Sequence, residues 1–117
     1  FLVRMRSLRL PTALLVLDDE TEEKCQSIAS EGWWACVSGR SVGFFNKVAM
    51  PCILLQLGLD VVMLDFDVLF LQSPTQAILK QQEETGADIL TSRTFENSCM
   101  NFGLFYASAA SPRAAVL

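Results

Sequence analysis

Short apolar runs alternate with amphipathic segments along this chain, and glycines punctuate the boundaries. "TALLVL" (Thr12–Leu17) reads as a buried strand. "DDETEEKCQSIASEG" follows as a helix, with Asp19 and Glu22 spaced as a capping box and Gly32 placed to stop it. "WWACV" (Trp33–Val37) is a second strand, and "SGRSVG" is a loop by its Gly and Ser content. "NKVAMPCILLQLG" (Asn46–Gly58) has helical spacing in Val48, Cys52 and Leu55 and ends on glycine, while Pro51 removes a backbone donor and is expected to kink the helix or delay its start. "DVVMLDFDVLFL" (Asp60–Leu71) is a third strand. "SPTQAILKQQEETG" places Ser73 as N-cap, Pro74 at the first helical position and Gly86 at the close. "ADILTS" and "MNFGLFYAS" are the fourth and fifth strands, and "SPRAAVL" opens a further helix. Strand and helix in such alternation predict an α/β layered fold with a mostly parallel central sheet.

At 117 residues, half of them hydrophobic, the chain has the size and composition of one globular domain or part of one. A net charge of −4, with no Lys/Arg cluster beyond Arg4, Arg6 and Arg9, argues against a nucleic-acid partner, because few phosphate counterions would be released. No run of about 18 apolar residues is present to span a bilayer, and "FLVRMRSLRL" is too short and too charged for the apolar stretch of a signal peptide. Cys25, Cys36, Cys52 and Cys99 have no C-x-x-C spacing, and there is no histidine. A zinc site, a Cys–His pair and a Ser-His-Asp triad are therefore excluded as expectations. The cysteines read as buried free thiols, with one disulfide as the alternative.

Asp65 and Asp67 interrupt an otherwise apolar stretch. Parallel sheets bind ligands beyond the carboxyl ends of their strands, and the two acids sit toward that end. Alternation along a strand would point both to one side, roughly 7 Å apart, with Phe66 facing the other way. Two ionised acids in a dry site are costly, and a divalent cation offsets both the repulsion and the burial. The plainer reading, acids that merely close a strand in solvent, is disfavoured here by the apolar residues that continue through Val68, Leu69, Phe70 and Leu71.

Three chemistries use an acidic strand end. A phosphatase of the haloacid-dehalogenase kind also reads apolar run, Asp, x, Asp, but requires a tight turn next and a downstream lysine. Val68 and Leu69 follow here, and no lysine lies beyond Lys80. A receiver-like phospho-acceptor domain would draw a magnesium cluster from Asp18, Asp19 and Asp65, and Thr91 or Ser92 would serve it. Its lysine at the end of the fifth strand is missing. The third is a glycosyltransferase with a D-x-D motif, in which Mn²⁺ or Mg²⁺ bridges the carboxylates to the diphosphate of a nucleotide sugar.

The joint order of "LPTALLVLDDETEEKC", "LQLGLDVVMLDFDVLFLQSP", "GADILTS" and "MNFGLFYASAASPRA" resembles the nucleotide-diphospho-sugar transferase family that contains plant and algal arabinosyl- and xylosyltransferases. The resemblance covers roughly residues 10 to 115. It implies a GT-A-like, Rossmann-like three-layer sandwich and a nucleotide-diphosphate sugar donor. It further implies a glycan or glycoprotein acceptor, bound Mn²⁺ or Mg²⁺, retention of anomeric configuration and the Golgi lumen. By the same resemblance Asp65 and Asp67 bind metal and donor, Lys47 matches the lysine on the helix before the motif, and Asn101 and Gly103 match an N-x-G element. Each has a plainer alternative: a solvated lysine for Lys47, a strand bulge for Asn101 and Gly103. Asp18 and Asp19 read first as helix caps, and Trp33 and Trp34 as core rather than sugar-stacking residues. Pro51 departs from the family pattern. Residues 1–117 are expected to be one partial domain that lacks an initial strand–helix unit and stops within a helix.

Overall fold

The computed structural model describes residues 1–29, 32–39, 46–65, 67–93 and 100–110, and its backbone divides into two units, Phe1–Asn46 and Lys47–Leu117.

The first unit opens with a six-residue helix, α1 (Leu2–Ser7), which buries Met5. So short a helix shows no periodicity in the sequence and was not expected. The chain leaves it through Arg9, at φ 55°, into β1 (Thr12–Val16). Helix α2 (Asp19–Ala29) then leads to β2 (Trp34–Ser38), which runs parallel to β1 with Leu14 opposite Cys36. This is the expected strand–helix–strand unit, and α2 packs on both strands.

The α2 cap sits one residue earlier than the capping-box reading placed it. Asp18 is the cap, its Oδ1 accepting the Thr21 backbone N–H at 2.7 Å, while Asp19 is the first helical residue. That bond satisfies one of the donors a helix start leaves open. Gly32, at φ 77°, donates its N–H to the Ala29 carbonyl and turns the chain toward β2.

Cys25 of α2 is disulfide-bonded to Cys36 of β2, which corrects the expectation of free thiols for this pair. The two residues were not paired by spacing; the βαβ packing brings their Cα atoms to 6.0 Å. Closing a loop of this length contributes roughly 3 kcal/mol. Cys52 is a free thiol, and Cys99 lies outside the described residues.

The boundary between the units falls after the first residue of α3 (Asn46–Gln56), and Pro51 is buried in the middle of that helix. The helix is assigned on both sides of the proline, so the delayed start anticipated from Pro51 does not occur. It ends in a Schellman motif: Gly58, at φ 79°, donates to the Leu55 carbonyl, and Leu59 donates to that of Leu54. Next come β3 (Val61–Leu64), α4 (Thr75–Thr85), β4 (Ile89–Arg93) and β5 (Met100–Ala107). Pro74 has helical dihedrals and its carbonyl accepts the Ile78 N–H, so α4 starts within a residue of the expected place. Gly86 closes it in the left-handed conformation.

The three strands order as β3-β5-β4, with β5 antiparallel to both neighbours. The mostly parallel sheet expected from the sequence is therefore not what this unit forms, although the α/β class holds. The reason lies in the connections. Six residues separate β4 from β5, too few for a crossover back to a parallel start, so β5 must return alongside β4. β3 and β4 are joined through α4 and point the same way, with β5 inserted between them. Leu55, Val61 and Ala107 form the core here, with Leu54, Phe105 and Ala109 packed on it. The segment "SPRAAVL", read as a further helix, lies outside the described residues.

Candidate functional site

Because β5 is antiparallel, the carboxyl ends of β3 and β4 and the start of β5 share one edge of the sheet: Leu64 pairs with Leu104, and Arg93 with Met100. The acidic stretch comes out at that edge. β3 ends at Leu64, and the Asp65 backbone N–H still donates to the Gly103 carbonyl, at 2.9 Å, as the last rung beside β5. Immediately afterwards the Val68 N–H donates to the Asp65 carbonyl at 3.0 Å and closes a turn. Asp65 is half-buried and Asp67 is exposed.

This geometry corrects two steps of the sequence reading. The acids do not alternate along a continuing strand, because the chain turns between them. The apolar residues after them do not form a buried strand either: Leu69 is 56% exposed and Leu71 83%. The desolvation cost assigned to the pair shrinks accordingly, most of all for Asp67, since exposed carboxylates keep their hydration.

Gly103 is brought directly to the motif by that backbone bond. The bulge weighed for Asn101 and Gly103 is present as a register shift. Thr91 pairs with Phe105 but Ser92 with Asn101, so β5 carries extra residues against β4 while Leu104 stays paired with Leu64. Bulges of this kind re-aim backbone next to functional edges. The Ser92 hydroxyl faces the Leu104 carbonyl across the irregularity. Lys47 occupies the second position of α3, and the side chains of Lys47 and Asn101 lie outside the described part of the structure.

At the opposite end of the sheet, sequence reasoning missed a polar cluster. Asp60 precedes β3 and accepts hydrogen bonds from the Ala109 backbone N–H (2.7 Å), the Ser108 hydroxyl (3.3 Å) and the Tyr106 hydroxyl (2.9 Å). The Gln82 side chain of α4 lies 3.0 Å from the same tyrosine oxygen. That contact is to Gln82 Oε1, so the single phenolic proton has two acceptors, the Asp60 carboxylate and the Gln82 amide oxygen. Burial of Tyr106 raises its pKa above the ordinary tyrosine value, and the neighbouring Asp60 carboxylate adds to the effect. The pattern D-x45-Y-x-S carries no local periodicity, so only pairing of β3 with β5 could reveal it.

The other candidates resolve more simply. Asp18 is a helix cap, and Asp19 is exposed in the first turn of α2. Trp33 is exposed, against the expectation of core packing, whereas Trp34 is half-buried with its indole N–H enclosed and unpartnered. The receiver reading required the end of the fifth strand at the mouth with Asp65. Ala107, the last residue of β5, instead pairs with Val61 at the far edge. Among the described residues no group of three or more His, Cys, Asp or Glu side chains gathers as a metal cluster. No helix among them is long and apolar enough to cross a membrane.

No curated protein and no solved structure matches the chain. A family model for nucleotide-diphospho-sugar transferases does match, over residues 40–116, which takes in α3, the D-x-D turn and all three strands of the second sheet. With well over half of its length matched by that model, the chain belongs to the nucleotide-diphospho-sugar transferase family.

Proposed function

We propose that the edge formed by Asp65, Asp67 and Gly103 binds the diphosphate of a nucleotide sugar together with Mn²⁺ or Mg²⁺, and that the chain takes part in transferring the sugar to a glycan or glycoprotein acceptor. The observation that carries the proposal is the Asp65 N–H to Gly103 carbonyl bond. It joins the D-x-D turn to the N-x-G strand, two elements of the family pattern far apart in sequence, at the end of the sheet where β3 and β4 finish and β5 starts.

Asp65 and Asp67 are hard oxygen donors and suit Mn²⁺ or Mg²⁺, which keep water and phosphate oxygens as their remaining ligands. Bound there, the cation would act as a Lewis acid on the leaving diphosphate. The chain's own part is positional. Asp65 is fixed at its backbone by Gly103 on one side and the Val68 turn on the other. Asp67, exposed beyond it, is free of the strand's constraint and reaches toward solvent. Asp67 is assigned direct coordination, and Asp65 a supporting contact to the metal through water or to the ribose. Asn101 is assigned a sugar hydroxyl, and Lys47 a phosphate. The Golgi lumen is the compartment proposed, and the Cys25–Cys36 disulfide supports an oxidising one.

The test is a thermal-shift titration with Mn²⁺ plus UDP beside one with Mg²⁺ plus beryllofluoride. A ligand at about a hundred times its Kd adds roughly 2.7 kcal/mol. Stabilisation by the first pair alone is expected. Stabilisation by the second alone would return the receiver reading, and no response to either would mark a fold without donor binding.

A further inference from the structure

Unit Phe1–Asn46 rests on very little packing. Its buried hydrophobic side chains among the described residues are Met5, Val16 and Cys25, and one of these three is a disulfide sulfur. Leu17, Ile28 and Trp33 remain exposed. Its sheet has two strands, and two strands with so small a core are marginal in water without a covalent staple. The disulfide ties α2 to the middle of β2, at the residue opposite Leu14. The other unit contains neither of these cysteines, and its sheet and its Leu55, Val61 and Ala107 core do not depend on them.

We infer that the Cys25–Cys36 bridge is a redox-conditional staple: its reduction opens the first unit and leaves the second, with the D-x-D turn, folded. In the step the S–S bond breaks and each sulfur takes up one electron and one proton. A dithiol supplies both pairs and closes to its own disulfide. The first unit therefore persists in an oxidising compartment and is lost where a thiol pool reaches it. This holds whether or not the second unit transfers sugar.

The chain has lysines at 24, 47 and 80, and two report on the units separately: Lys24 is exposed in α2 beside Cys25, and Lys80 is exposed in α4. Lysyl endopeptidase is applied to the full chain under native conditions, with and without dithiothreitol, and cleavage at each lysine is followed by mass. Reduction is expected to speed cleavage after Lys24 roughly a hundredfold, as the loss of a short-loop disulfide implies, and to change cleavage after Lys80 by less than about twofold. Equal acceleration at both lysines, or none at Lys24, would overturn the inference. The double variant Cys25→Ala, Cys36→Ala is expected to cleave after Lys24 without reductant as fast as the reduced protein. If it stays as slow as the oxidised protein, packing rather than the bridge holds the unit.

Discussion

The two motif carboxylates differ in surroundings, and the difference predicts unequal roles. Asp65 is half-buried and anchored by its own backbone to Gly103, whereas Asp67 stands exposed past the turn. Asp67→Asn is expected to weaken Mn²⁺–UDP binding about a hundredfold or more, and Asp65→Asn about tenfold with the metal requirement intact, by analogy with losing direct and supporting metal contacts. Calorimetric titration of both variants checks this, and normal binding by Asp67→Asn would refute the assignment. At the far edge Asp60 is the shared acceptor for three donors. Asp60→Ala strands the Ala109 N–H and the Ser108 hydroxyl while Tyr106 keeps Gln82 Oε1 as acceptor, at an expected cost of about 1–2 kcal/mol, solvent access moderating it; the urea midpoint reads it. Tyr106 adds a pH dependence. Its folded pKa is raised, so the folded state holds the phenolic proton more tightly than the unfolded one. Its contribution is fully present below the unfolded value near 10 and is lost as pH rises from there through the folded value. Stability should therefore fall at alkaline pH, and Tyr106→Phe should flatten that fall. Tyr106 is the only tyrosine, so tyrosinate absorbance in the intact protein follows this one group.

Helix ends were the most legible elements. Gly32, Gly58 and Gly86 were read as stops, and all three have positive φ. A Cβ built on Gly58 or Gly86 meets nothing within 4 Å, so alanine there costs only the strain of the left-handed backbone. Gly58→Ala and Gly86→Ala are each expected to lose about 1–2 kcal/mol, visible as a lower melting temperature, and a neutral result would show that the caps relax. Strand existence was legible too, since apolar runs of strand length lie between these stops. Strand direction was less so. The short link from β4 to β5 demands antiparallel return, whereas the overall alternation of strand and helix favours parallel units, and the local constraint wins. The end of β3 differs from expectation for a related reason: "DVVMLDFDVLFL" is apolar apart from its aspartates, and composition cannot show that the chain turns at Asp65 and leaves Leu69 and Leu71 in solvent. The candidate site was legible as a pair of acids and an N-x-G strand. Their contact depended on the β3–β5 register, which no local pattern encodes.

For the whole molecule, the family match and the division of the backbone nearly coincide, the first running over residues 40–116 and the second unit over Lys47–Leu117. The family-matched segment thus has its own sheet and core, while the first unit holds a helix–strand disulfide. Two units stabilised by such different means have no reason to unfold at the same denaturant concentration, and non-coincident probes are the signature of that behaviour. The chain carries its own separate reporters: both tryptophans, Trp33 and Trp34, belong to the first unit, and the sole tyrosine, Tyr106, to the second. Urea unfolding of the oxidised protein, followed by tryptophan fluorescence and by derivative tyrosine absorbance, is expected to give two midpoints rather than one. Adding Mn²⁺ and UDP should raise the tyrosine midpoint, because the proposed ligands Asp65 and Asp67 lie in that unit and a ligand stabilises only what it binds. A single shared midpoint that moves as one with ligand would show that the two units fold as one cooperative body.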